Sequence, residues 1–327
     1  MTTHAIHPDT RPYASVPDYI YGCTREIWEE RGVGAELERY YAADCLVRAP
    51  SGLTTRMAGV TADTLATLHQ FPDRQLVGED VIWADGGDGS FLSSHRLISV
   101  MTHLGDGSFG PATGRRVKAR VIADCWVTGS IITEEWLVRD TGAIARCLGL
   151  EPRALAAAQL VADTPMGRPT VFTPAQDLPS RYAPTISDDP AARVHVAAIR
   201  ELWAERTPAA IRARYHPGAA VYLPGGEWAN GHNDLDRALV GWLASFPDGQ
   251  LTIHDCTVNR DPDLPPRVAT RFSVEATHSG WGRFGEPTRA PVYLMGIVHA
   301  HIVGDRIAAE WLLLDEVAVW KQVLAGA

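Results

Sequence analysis

Glu134–Asp140 reads EEWLVRD, and Ala309–Asp315 reads AEWLLLD. The first copy carries a carboxylate where the second has alanine. Strict strand alternation places Ile132, Glu134 and Trp136 on one face, which is expected to look into a pocket. A carboxylate enclosed by apolar groups is suited to general acid/base work near neutral pH. The rival reading is a surface Glu134 and a neutral drift to Ala309. On another strand His95, Leu97, Ser99, Met101 and His103 share a face. Their counterparts are Thr270, Phe272, Val274, Ala276 and His278, and the apolarity of that second set turns the face inward. Histidine can pass a proton to or from a carbonyl or enol; the plainer role for each is a core hydrogen bond. Asp124, aligned with His299, is a secondary candidate, because a buried mid-strand carboxylate needs a partner. Tyr40, Trp28, Trp136 and Met101 are the candidate walls of a substrate site, with core packing as the alternative for the aromatic ones. His299 and His301 form half of a metal site at most. No third ligand stands at clear spacing, so no metal or other cofactor is expected.

The elements that position these residues occur twice. Trp28 and Trp203, Arg96 and Arg271, His103 and His278, Trp136 and Trp311, and Asp140 and Asp315 all stand 175 residues apart. A period this long indicates a duplicated domain, since a solenoid needs at least three stacked units. The expected organisation is an arm over 1–16, a first domain over 17–160, a connector over 161–189 and a second domain over 190–327. The connector region Asp163–Pro190 holds six prolines, which predicts a stiff, extended link. Each copy opens with helical periodicity, Ile20, Cys23, Ile27 and Trp28 in the first and Val194, Ala198, Ile199 and Leu202 in the second. A later helix in each is stopped by Pro-Asp, at about 71 and 246. The period then changes to two, predicting strands at 75–84, 92–103, 116–128 and 131–138. The second set is predicted at 250–258, 267–278, 291–303 and 306–314. Helices followed by hairpin-linked strands imply an α+β fold, an antiparallel sheet with helices on one face.

The chain has 327 residues, 46% apolar and 21% charged, with a net charge of −9. That balance fills a sizeable core and argues against nucleic acid as a partner, which needs a concentrated basic surface. No segment has the apolar length of a membrane span. The five cysteines are widely spaced with no C-x-x-C pair, as free thiols in a reducing cytoplasm would be.

The turn GSFGPATGRRV (Gly107–Val117) followed by TGSIITEEWLVRD (Thr128–Asp140) resembles the signature of SnoaL-like polyketide cyclases of the NTF2-like superfamily. His103, Ile132, Glu134, Trp136 and Asp140 fall at signature places. The resemblance covers nearly all of each copy and implies two tandem cone-shaped domains, each a curved sheet with helices packed on its concave face. The aspartate that serves as acid/base in the family's aldol cyclases falls at Leu137 and Leu312, so that mechanism is not implied here. The resulting expectation is a cofactor-free acid/base enzyme of isomerase, cyclase, dehydratase or lyase type. It would act on a small or medium apolar carbonyl compound in the first pocket, with Glu134 or a histidine taking the proton. The second copy would be a built-in partner, an intramolecular pseudo-dimer, with further homo-oligomerisation left open. The alternative is a small-molecule-binding or structural protein without turnover.

Overall fold

The computed structural model describes residues 8–163 and 171–326. Residues 1–7 of the expected arm and 164–170 of the expected connector lie outside them. The chain divides into two compact units. One takes in the described residues up to Ala49, Leu53–Leu137 and Gln176–Ala183; the other takes in Pro50–Gly52, Val138–Ala175 and Pro184 onward.

Both units are α+β and share one plan. In the first, helices α1 (Val16–Thr24), α2 (Ala35–Tyr40) and α3 (Met57–Gln70) accompany strands β1 (Tyr41–Ala49), β2 (Gly52–Thr55), β3 (Gln75–Gly87), β4 (Ser90–Thr102), β5 (Arg116–Thr128) and β6 (Ile131–Arg139). After β6 come α4 (Thr141–Leu148) and α5 (Pro152–Asp163), which lie in the second unit. The second copy repeats the plan with α6 (Pro190–Ile199), α7 (Ala210–Arg214), β7 (Tyr215–Leu223), β8 (Glu227–Asn230) and α8 (His232–Ser245). Strands β9 (Gln250–Asn259), β10 (Arg267–Thr277), β11 (Pro291–Val303) and β12 (Arg306–Leu314) and helix α9 (Glu316–Ala325) complete it.

The sheet orders are β2-β1-β6-β5-β4-β3 and β8-β7-β12-β11-β10-β9. The pairs β1–β6 and β7–β12 are parallel, so each sheet is mixed where the sequence predicts an antiparallel one. Strands β1, β2, β7 and β8 were not predicted. Tyr41 and Tyr215 end short helices and open strands at once, which hides the strands from a periodicity reading.

Local chemistry explains the boundaries. Ser15 caps α1 by accepting from the Asp18 amide. Asp189 caps α6 by accepting from the Ala191 amide, with Pro190 at the first helical turn, as the Asp-Pro pair predicts. Both α1 and α6 run into a π-helical turn, Arg25–Glu29 and Arg200–Ala204, an insertion that re-aims the side chains beyond it. Those turns carry Trp28 and Trp203.

The first core gathers Tyr19, Ile20, Cys23, Phe91, Cys125 and Val127, with Trp28, Trp83 and Leu137 only partly buried against it. The second core is larger and continuous. It includes Trp203, Trp242, Phe272, Phe284 and Leu312, and it is extended by Val319 and Val323 of α9. Asp140 and Asp315 cap the helices after β6 and β12, accepting from Ala143 and Ala318 amides at 2.9 and 3.0 Å. Within the second unit Asp140 also accepts from Tyr222 Oη at 2.6 Å and from the Gly225 amide at 2.8 Å, which holds the start of α4 there.

Candidate active site

The inner face of the first sheet is fixed by register. Phe91, Ser93, His95, Leu97 and Ser99 lie opposite Val127, Cys125, Ala123, Val121 and Ala119. His95 is therefore inward, as alternation predicts, and is 7% exposed. Burial alone lowers its pKa to about 4, so it is neutral at pH 7. Its Nδ1 lies 3.5 Å from Ser93 Oγ.

The acid on this inner side is Glu135. Tyr41 donates its hydroxyl hydrogen to Glu135 Oε2 at 2.8 Å, and both residues are buried. Cys23, Cys45 and Cys125 belong to the same core. Burial pushes the thiols of Cys23 and Cys45 up to about 12 and about 11, and the charge of Glu135 adds to both shifts. Burial, then Glu135, also raises Tyr41 well above its ordinary value. Around Glu135, then, the thiols and the phenol keep their protons.

Glu134 is not on this inner face. It is fully buried on the opposite face, where Arg48 Nη1 donates to Oε2 at 2.7 Å and Ser180 Oγ donates at 2.8 Å. The amides of Arg181 and Tyr182 donate to Oε1. Arg48 also holds Asp177 and the Leu178 carbonyl. Glu134 and Arg48 thus latch the segment Gln176–Ala183 onto the outer face of the first sheet. The error lies in the alternation. In the second copy Ile302 pairs with Ile307 but His301 pairs with Ala309, a β-bulge that skips residue 308. A bulge reverses the faces beyond it. Ile132 of the first copy is accordingly inward, while Glu135 and Leu137 take over the inward places from Glu134 and Trp136.

Three further expectations change for the same reason or a related one. Trp136 lies on the outer face, under the Arg48 guanidinium at 5.0 Å and against Tyr182. Asp124 is opposite Ser94 on that face, 2% exposed, and does not join His95. His103 is a loop latch. Its Nδ1 meets Thr113 Oγ1 at 3.2 Å, and His278 meets Thr288 Oγ1 at the same distance. The loops they hold press on the preceding helices: a side chain at Gly105 or Gly280 would collide with the His69 or Ala244 carbonyl.

Of the expected walls, Met101 is buried on the His95 strand face. Trp28 is partly buried and packs with Leu137 against Leu76, Leu97 and Val121. Tyr40 turns instead to Glu26, in the π-helical turn after α1, donating to it at 2.6 Å, and lies 3.1 Å from Tyr13 Oη. The inward tyrosine is its neighbour Tyr41. Tyr41 pairs with Ile132 as Tyr215 pairs with Ile307, so the structural repeat is one residue out of step with the 175-residue offset here. Tyr215 accordingly donates to Glu310 at 3.1 Å. The signal for this repeated pair was present in the recurrence of Glu135 as Glu310. Among the described residues no group of three or more His, Cys, Asp or Glu side chains could hold a metal ion.

Two tandem α+β domains of one strand order, each with a Tyr–Glu pair on its inner face, define the class. Residues 193–323 match the family described as SnoaL-like polyketide cyclase, and the first copy repeats the same strand order. The match covers the second copy. No curated protein matches it significantly. Similar solved structures include IdmH from Streptomyces antibioticus, 21% identical over 40% of this chain and 98% of that one, with a TM-score of 0.34. Another is a SnoaL-like polyketide cyclase from Agrobacterium tumefaciens, 18% identical over 42% of this chain and 99% of that one, TM-score 0.35. TsrD from Streptomyces laurentii is 18% identical over 42% and 98%, TM-score 0.35.

Proposed function

We propose that the first copy is a cofactor-free acid/base enzyme acting on a small or medium apolar carbonyl compound. The observation that carries this reading is the Glu135–Tyr41 pair, buried on the inner face that also presents neutral His95. Glu135 takes the proton next to the carbonyl, and Tyr41 holds the carboxylate in place. His95, neutral at pH 7, donates a hydrogen bond to the developing enolate oxygen. Collapse of that enolate gives isomerisation, cyclisation, dehydration or cleavage, according to substrate. Entry is expected beside Trp28 and Leu137, partly buried in this copy, where Trp203 and Leu312 of the second copy are buried. The five free cysteines support a reducing, cytoplasmic setting. No described helix is long and apolar enough to cross a membrane.

Proton abstraction can be measured before the true substrate is known. A panel of polycyclic and terpenoid ketones is incubated with the protein in D2O, and loss of the α-proton is followed by 1H NMR. The wild type is expected to accelerate exchange of at least one ketone, and Glu135→Gln to reduce it by about 10²–10⁴-fold. A second reading, binding without turnover, is favoured by the enclosure of the site, where Tyr41, Glu135 and His95 are all at most 7% exposed. It would show as ligand-raised melting temperatures with no exchange.

A further inference from the structure

The second copy does not simply repeat the polar set of the first. At the strand position of His95 it has Thr270, and at the helix position of Ile20 it has His195. The two residues meet: His195 Nδ1 lies 2.9 Å from Thr270 Oγ1. On its other side His195 Nε2 lies 3.4 Å from Glu310 Oε2 but makes no hydrogen bond of good geometry. Tyr215 closes the set, with its hydroxyl 3.1 Å from both Glu310 oxygens. His195 is 0%, Glu310 4%, Thr270 1% and Tyr215 1% exposed.

An imidazole and a carboxylate in an apolar core are costly unless they are used or fully paired. Apolar residues would fill that space more cheaply, as Ile20 does in the first copy. Each copy instead pairs a glutamate with a tyrosine on its inner face and adds a histidine, supplied by the strand in one copy and by the helix in the other. A carboxylate beside an imidazole whose other nitrogen is fixed by a hydroxyl is the arrangement of an oriented general base.

We propose that Glu310, His195 and Tyr215 form a second acid/base centre, in the second copy, with Thr270 as the positioning residue for His195. Its ligand class is a planar, enolisable carbonyl compound or the enol derived from it. The choice of chemistry rests on the function proposed for the first copy; the centre itself rests on the His195 geometry. Both centres are enclosed, so a ligand enters either cone only as the surrounding packing opens.

The test is binding stoichiometry of 2-naphthol, a planar phenol that stands in for an enol, measured by calorimetry on the full chain. Two equivalents are expected. Glu310→Gln and His195→Gln should each leave one, Glu135→Gln should leave one, and Glu135→Gln with Glu310→Gln should leave none. Thermal melts check that each variant is folded. The double exchange His195→Ile with Thr270→His rebuilds the arrangement of the first copy and is expected to keep two equivalents. This rescue separates a site from a merely structural cluster. A single equivalent that Glu135→Gln abolishes and Glu310→Gln leaves intact overturns the second centre while sparing the first. Loss of an equivalent in Glu310→Gln but not in Glu135→Gln supports the second centre and removes the first. No binding at all overturns the proposal.

Discussion

Glu134 and Glu135 are sequence neighbours with opposite duties. The first binds the main chain of residues 181 and 182 on the outer face of its sheet, and the second accepts a hydrogen bond from Tyr41 on the inner face. This separation explains why the second copy has alanine at residue 309. The outer acid serves the segment Gln176–Ala183, which belongs to the first unit. The inner acid recurs as Glu310.

The latch gives a stability prediction. Arg48 and Glu134 are 1% and 0% exposed, so removing Arg48 leaves a buried carboxylate with neutral donors only, and removing Glu134 leaves the buried guanidinium with Asp177 as its one acidic partner. Glu134→Ala or Arg48→Ala is expected to cost about 3–5 kcal/mol in denaturant titration. Trypsin should then cut after Arg181 under conditions where the wild type resists. An unchanged midpoint together with unchanged resistance would refute the latch.

His95 gives a pH dependence. Its folded pKa of about 4 lies below the ordinary 6.5, so the folded state binds fewer protons than the unfolded state. The contribution is present above pH 6.5 and is lost as pH falls from 6.5 to about 4. At about 1.4 kcal/mol per unit it amounts to at most about 3 kcal/mol. His95→Gln should flatten the stability profile in that window, and a profile identical to wild type would contradict the burial of a neutral imidazole.

Asp315 gives the opposite sign. Burial, outweighing its bonds to Ala318 and Thr141, raises its carboxyl from 3.8 to about 6. Stability from this group is full below pH 3.8 and is lost as pH rises through 6. Asp315→Asn keeps an oxygen for the helix cap and cannot ionise. It is expected to stabilise the protein by about 1–3 kcal/mol at pH 7.5 and by little at pH 4. Equal effects at both values would point to the cap, with no role for charge.

Much of the fold was legible because it is written twice. The repeat marks the duplication, and the strands after each Pro-Asp stop have long, clean alternation with Gly-Asp turns. The inward face of β4 and the capping role of Asp189 follow from the same local rules. The parallel strands β1 and β7 were hidden because each begins at the tyrosine that ends a helix. The acid was misplaced by one residue because a bulge leaves no compositional mark, and Ile132, Glu134 and Trp136 read as an unbroken alternation. Arg48 could not be found from sequence at all. Its partners Asp177 and Leu178 lie about 130 residues away in a segment without periodicity.

Paired variants decide whether Glu135 or Glu134 is the base of the first copy. Deuterium exchange into a ketone turned over by the wild type is measured for Glu135→Gln and for Glu134→Gln, each at a temperature where circular dichroism shows it folded. The Glu135 variant is expected to lose about 10²-fold or more while the Glu134 variant stays within a few-fold of wild type. Full exchange by the Glu135 variant with collapse in the Glu134 variant would contradict it.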